Sequence, residues 1–344
     1  VTIHVGILGA GGISDTHARA AAAIPGVKVV AVHGHNAQKA ERLAAANGAK
    51  AYADPEAFFA HKPMDMVAIG SPSGVHHRQI MACARASLHV LVEKPMTLTP
   101  EEADEAMAAC QAAKVQLGVI FQDRLQPDVV RLRRFLTEGG LGRVHLVTAD
   151  VKWYRPPEYY AQSQWRGRQS LDGGGTVINQ GIHTLDLLLH LLGDVEAIFA
   201  RTRTAAHVIE VEDTAVATLQ FRSGALGTFE STTAAFPGYK RRVEISGDAG
   251  TVVFEHDRLV RADLRPGTPA LEVSAATADA ESASSPVVSD ETPHRRVFED
   301  FLDAIAKGRR PMCDGREGRR SLVLVQALYQ SARWGALVTI PPTV

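Results

Sequence analysis

Cysteine is scarce in this chain: three residues, Cys83, Cys110 and Cys313, lie far apart and form no CxxC pair. That spacing offers neither a disulfide framework nor a zinc site, and it suits a reducing compartment. Charge of one sign is missing too. With 37 Lys and Arg against 38 Asp and Glu, the formal net charge is −1, which gives no general field to draw in nucleic acid or an anionic membrane. The small basic clusters at Arg131/Arg133/Arg134, Lys240–Arg242 and Arg316/Arg319/Arg320 read as solvated faces or local anion contacts. No long hydrophobic run is present. The most apolar stretch, LDLLLHLL, is too short and too interrupted to span a bilayer. The start, VTIHVGILG, lacks the basic segment and cleavage site of a signal peptide. These absences predict a cytoplasmic protein with no nucleic-acid partner, no membrane partner and no bound metal.

What is there reads as globular. Hydrophobic residues at 45% and charged residues at 22% exclude pervasive disorder. A chain of 344 residues exceeds what one core usually serves. Up to Phe121, short β-branched runs (Ile3–Leu8, Val27–Val32, Met66–Ile69, Leu88–Val92, Val115–Ile120) alternate with Ala-rich helical stretches. Strands buried on both faces and separated by helices predict a doubly wound parallel sheet over residues 1–122. Thr99, Pro100 and Glu102 supply a helix start with a capping box. Beyond residue 123 long strands follow one another with little helix between them (Val144–Lys152, Glu196–Thr204, Thr214–Phe221, Ala225–Thr232, Arg242–Ser246). Residues 123–344 are therefore expected to form an α+β domain around a large, mostly antiparallel open sheet, closed by helices near 294–307 and 315–334. Residues 265–291, rich in Ala, Ser, Pro and acids, read as loop.

The first strand runs into GILGAGGIS, with Gly9-x-Gly11-x-x-Ser14 at the opening of a helix. Gly9 permits the tight turn, Gly11 lets the backbone approach a pyrophosphate, and the helix start through Gly12 and Ile13 holds it. At the first strand–helix junction of an alternating domain this predicts a dinucleotide site. The acid that usually ends the second strand and binds the adenosine ribose is absent. Gly34, His35 and Asn36 stand there, and His35, Asn36 and Lys39 offer a home to a 2′-phosphate. The reading favours NADP over NAD; the alternative is that these residues only cap the next helix.

Two further strand ends reach the same rim. GSPSGVHH brings Ser71 and His76, and LVEKPM brings Glu93 and Lys94. Pro95 confines Lys94 to extended backbone and fixes its direction. A lysine held beside a cofactor is placed to polarise a substrate oxygen or relay its proton. Farther on, Asn179, His183 and Asp186 are spaced i, i+4 and i+7, which predicts one shared helix face behind the glycines Gly173–Gly175. The alternative is a core histidine satisfied by Asp186. The loop KWYRPPEYYAQSQWRGR interleaves aromatics with Arg and Lys, so Tyr154 and Arg155 are candidates to stack on a sugar and grip an anionic group, or simply to pack between domains.

Taken together, GILGAGGIS, SPSGVHH, VEKPM, FQDR, WRGRQSLDGGGTVINQGIHTLDLL and the closing GRRPMCDGREGRRSLVLVQALYQSARWG resemble the Gfo/Idh/MocA oxidoreductases over nearly the whole chain. The resemblance implies a Rossmann domain, a second α/β domain whose open sheet builds dimers or tetramers, and hydride transfer between NAD or NADP and a hydroxyl or carbonyl of a sugar, sugar derivative or cyclitol. It makes Lys94 the catalytic lysine and Glu93 a contact to the nicotinamide ribose, with Pro95 often cis. Ser71, His76 and Gln122 would line the cofactor, reached from the second domain by Trp165 and Arg166. The family often has Asp-x-x-x-His where this chain has Asn179 and His183. Asparagine orients a hydroxyl but carries no proton, so His183 and Lys94 are left with the proton work. Two other activities stay open at this stage: a glycosidase that oxidises its substrate transiently with bound NAD, and a cofactor-binding regulator without turnover.

Overall fold

The computed structural model describes residues 2–274 and 290–342. In chain order the first part is β1 (Ile3–Leu8), α1 (Gly12–Ala22), β2 (Val27–His33), α2 (Ala37–Ala46), β3 (Lys50–Tyr52), α3 (Pro55–Phe59), β4 (Met66–Ile69), α4 (His76–Arg85), β5 (His89–Glu93), α5 (Pro100–Ala112) and β6 (Leu117–Ile120). Then come α6 (Pro127–Thr137), β7 (Val144–Lys152), α7 (Pro157–Ala161), α8 (Gln169–Asp172), α9 (Ile182–Leu192), β8 (Val195–Arg203), β9 (Thr214–Phe221) and β10 (Leu226–Thr232). The last elements are β11 (Arg242–Gly247), β12 (Gly250–Glu255), β13 (Arg258–Leu264), α10 (Thr292–Lys307), α11 (Gly315–Trp334) and β14 (Val338–Thr339). Of the loop expected at 265–291, residues 275–289 lie outside the described residues. By internal contacts the chain divides into two units, Val1–Gln122 with Pro286–Arg319, and Asp123–Ser285 with Arg320–Val344.

The first unit holds a parallel sheet in the order β3-β2-β1-β4-β5-β6. β4 and β6 are buried along their whole length, as strands covered on both faces must be. Helix starts follow local chemistry. Thr99 Oγ1 accepts from Glu102 N at 3.2 Å, and Glu102 Oε2 returns to Leu98 N at 3.0 Å, one residue earlier than a standard capping box. Residues 290–319 pack with this unit, whereas the sequence placed all of 123–344 in the other. The reason is local. A Cβ on Gly118 would lie 2.7 Å from the Phe301 ring of α10, so the glycine in β6 makes room for that helix. Val119 N also donates to Cys313 O at 2.9 Å, which covers the sheet edge.

The second unit is built on an eight-stranded sheet, β13-β12-β11-β7-β10-β9-β8-β14, antiparallel except for β7 against β10. Period-two alternation is plain in β9: Ala215, Ala217, Leu219 and Phe221 are buried, while Val216, Thr218 and Gln220 are exposed. The buried face of the sheet carries Val147, Phe229 and Val243, and α9 is buried at Ile182, Leu185 and Leu188. Each such large side chain contributes about 1.5–3 kcal/mol. Among the described residues no helix is long and apolar enough to cross a membrane.

Candidate functional site

In the first unit β1 ends at Leu8 and turns through Gly9–Gly12 into α1. Gly9 has φ +115°, and a Cβ there would lie 2.5 Å from Ser14 Oγ and 2.6 Å from Gly70 O. Only glycine fits. Gly11 and Gly12 are different: a Cβ on either meets nothing within 4 Å. The backbone is therefore bare in front of open space, and no side chain caps the start of α1. That is the arrangement a pyrophosphate needs, with free N–H groups and the positive helix end. The turn lies where strand order reverses between β1 and β4, the place where open α/β sheets take ligands. Ile13 and Gly70 form its wall; a Cβ on Gly70 would stand 3.1 Å from Ile13 Cγ2. Beyond β2, His35, Asn36 and Lys39 are exposed. Asn36 Oδ1 accepts from Lys39 N at 3.0 Å, so its amide caps α2, while the side chains of His35 and Lys39 stand in solvent.

β5 delivers Glu93 as its last, buried residue, and half-buried Lys94 follows across a cis peptide to Pro95. His17 of α1 donates from Nε2 to Glu93 Oε1 at 2.9 Å, and His294 of α10 places Nε2 3.6 Å from the same oxygen. Burial alone would raise the Glu93 pKa, but the two imidazoles hold it well below the usual carboxylate range. His76 sets Nδ1 2.8 Å from Pro95 O and Nε2 2.9 Å from Ser71 O. It thus struts the loops after β4 and β5. Burial lowers its pKa against those two carbonyls. Ser71 Oγ donates to Gln79 Oε1 at 2.5 Å. After β6, Gln122 Oε1 is buried without a protein partner; an amide N–H from a ligand would satisfy it.

Among the described residues, His17, Glu93 and His294 are the group spaced to hold a metal, with ligand atoms within 4.8 Å of one another. Protons on both Nε2 atoms point to Glu93 and leave each Nδ1 as a bare acceptor, buried and without a partner. The trio anchors Glu93.

In the second unit Gly173–Gly175 lead into a π-helical turn, Val177–Gly181, that passes into α9. A Cβ on Gly175 would sit 1.7 Å from Glu212 O, and one on Gly174 2.1 Å from Tyr329 Oη. The close approach that the glycines signalled is to these two residues, which the sequence reading missed because both lie far away in the chain. Glu212 accepts from Gly175 N, Val177 N and Tyr329 Oη, each at 2.9 Å. It thereby takes the orphan N–H groups of the helix start. Burial raises the Glu212 carboxyl pKa and lifts the Tyr329 phenol well above its usual range.

The π turn also changes the face. In a regular helix Asn179, His183 and Asp186 would line up; here each has its own partner. Asn179 Nδ2 donates to Asp172 Oδ1 at 2.8 Å, and His183 Nδ1 is 4.0 Å from Asp123 Oδ2. Asp186 accepts from Arg124 at 2.7 and 2.6 Å and from Ser321 Oγ at 2.7 Å. Asp186 is thus committed to Arg124 and Ser321. On the loop after β7, the Arg155 guanidinium is 5.2 Å from the Trp153 ring and 5.3 Å from Tyr159; Arg166 is 4.5 Å from Tyr159 and 4.8 Å from Trp165. Two cations thus share one aromatic ring. Tyr154 meets Phe236 edge-on at 5.2 Å.

Residues 3–121 match the model of an oxidoreductase family with an NAD-binding Rossmann fold, and residues 129–253 match that of the GFO/IDH/MocA C-terminal domain. The chain belongs to the Gfo/Idh/MocA family. This Gfo/Idh/MocA protein is an NAD-binding oxidoreductase. It is 31% identical to the WlbA dehydrogenase from Bordetella pertussis, solved in complex with NADH and UDP-GlcNAcA, with both chains covered in full and a TM-score of 0.87. It is 28% identical to an inositol 2-dehydrogenase from Rhizobium meliloti, over 96% of this chain and 97% of that protein. Identity to the D-glucoside 3-dehydrogenase of Escherichia coli is 27%, over 98% and 97%.

Proposed function

We propose that this enzyme interconverts a CH–OH group and a carbonyl on an anionic sugar derivative, with NADP(H) bound at least as well as NAD(H). The observation that carries the dehydrogenase reading is the bare glycine cradle at Gly11 and Gly12, open beyond Cβ and set before an uncapped helix start. Gly9–Ile13 would hold the pyrophosphate, and Ser71, Glu93 and Gln122 the nicotinamide end, Gln122 with its orphaned oxygen. When bound, the nicotinamide supplies the hydride acceptor or donor. The proton of the same oxidation falls to this chain's own side chains. His183 takes it from the substrate hydroxyl, Lys94 polarises the oxygen, and Asn179, whose amide is held by Asp172, orients without exchanging a proton.

Two positive charges on the Tyr159 ring, from Arg155 and Arg166, favour a substrate bearing a carboxylate or phosphate. The sugar nucleotide UDP-GlcNAcA in the WlbA complex is of that kind. For the cofactor, no acid stands at Gly34–Asn36 to repel a 2′-phosphate, and His35 and Lys39 extend into solvent beside it. Fluorescence titration with both reduced cofactors decides this point: NAD(H) binding tenfold tighter, about 1.4 kcal/mol, would contradict it. The activity itself is tested with either oxidised cofactor and a panel of uronates, sugar nucleotides, neutral sugars and cyclitols. Free reduced cofactor should accumulate. Glycoside cleavage without net reduction would identify the glycosidase chemistry instead, and cofactor binding without any turnover would identify a regulator.

A further inference from the structure

We propose that Asp123 is the positioning carboxylate of His183, supplying from the start of the second unit the acid that this chain lacks at Asn179. Asp123 is 5% exposed, on the short helical turn Gln122–Leu125, and its Oδ2 stands 4.0 Å from His183 Nδ1. The inference rests on the dehydrogenase reading only for the use made of the imidazole. Its geometry is fixed by a brace. Arg241, itself 5% exposed, donates Nη1 to the same Asp123 oxygen, and its Nη2 donates to His256 O at 2.6 Å and Asp257 Oδ1 at 2.9 Å. The carboxylate therefore has one position. The other acids near the helix are engaged: Asp172 with Asn179 and the Gly167 N–H, Asp186 with Arg124 and Ser321.

The charged groups acting on Asp123 include Arg241, His183 and His256, and Asp257 beside it also feels His256 and Arg258. Attraction to Arg241 and then to His183 keeps Asp123 ionised against the effect of burial. Burial and then repulsion from Asp123 raise the pKa of Asp257, making it the first of the two acids to accept a proton. The field of Asp123 favours Nδ1–H on the neutral ring and so leaves Nε2 bare to take a substrate proton. It also favours the imidazolium once that proton has arrived. Arg241 on the same oxygen tempers the effect, so a shift of about one pH unit is expected, the low end for a close opposite charge.

Histidine-selective NMR, with His183 assigned by its loss in His183→Asn, reads this without turnover. In the wild-type protein the neutral ring should be the Nδ1–H tautomer; Nε2–H would overturn the proposal even if neither Asp123 variant folds. In Asp123→Asn the His183 pKa should fall by about one unit, and Asp123→Glu should restore most of it. An unchanged titration in folded Asp123→Asn would equally overturn it. In oxidation kinetics the acid limb of kcat should move down by the same amount while KM stays near its wild-type value; loss of rate with an unmoved limb would mark Asp123 as merely structural. Should wild-type protein oxidise nothing, the dehydrogenase reading fails and the NMR result still decides the role of Asp123.

Discussion

At the scale of single residues, Lys94 and Asn179 decide how the site behaves. Lys94 is half-buried beside Glu93, whose carboxylate is pinned by His17. Lys94→Ala leaves the β5 backbone and the anchor of Glu93 in place, so the variant should fold and bind cofactor, yet lose roughly 10²–10⁴-fold in kcat. Near-normal kcat would return the lysine to ordinary surface charge. Asn179 is the instructive case. From sequence alone, Asn179→Asp would simply add a carboxylate beside the imidazole and raise its pKa. The structure changes that expectation, because Asn179 Nδ2 donates to Asp172 at 2.8 Å. An aspartate there meets another carboxylate, and the two must share a proton. The kcat profile should then gain a second ionisation of the acid pair, visible as an added step in a pH titration. A simple upward shift of the single histidine limb would mean that Asp172 has moved away.

Among the elements, the strands of the first unit were legible because β-branched runs between helices have few alternatives. β12 and β13 were missed: they continue from β11 through short hairpins, and charges interrupt their apolar pattern (Glu255, Arg258, Arg261). The helix holding Asn179 and His183 was placed correctly, but its π turn was not. Residue spacing assumes a uniform period, whereas the local winding follows from contacts with Glu212 and Tyr329 that only the fold creates. Asp186 was read as a possible partner for the histidine and proves to belong to Arg124, the pair being 1% and 2% exposed. Breaking a buried pair strands one charge. Asp186→Ala should cost about 3–5 kcal/mol in chemical denaturation; a loss under 1 kcal/mol would show that the pair is not a fixed part of α9.

For the whole molecule, the glycine cradle, the lysine and the family were readable because each is a local motif. The return of residues 290–319 to the first unit was not, since it depends on the fit of Phe301 over Gly118. The outer face of the second sheet leaves Leu146, Val216 and Leu226 at 49%, 49% and 58% exposure, with Leu226 directly beside Leu146 across β10 and β7. Such a patch is where we expect copies of the chain to pair. Light scattering should give a dimer or tetramer that Leu226→Arg dissociates; a monomeric wild-type protein would contradict this.

The central claim is that His183 carries the substrate proton, and the pH dependence of kcat for wild-type and His183→Asn on one substrate tests it most directly. In oxidation the imidazole must be neutral to accept, so wild-type kcat should rise with pH through a histidine limb between about 5 and 8. In His183→Asn that limb should vanish and kcat should fall by roughly 10²–10⁴-fold. Superimposable profiles with comparable kcat would mean that the helix is packing and that the proton leaves by another route.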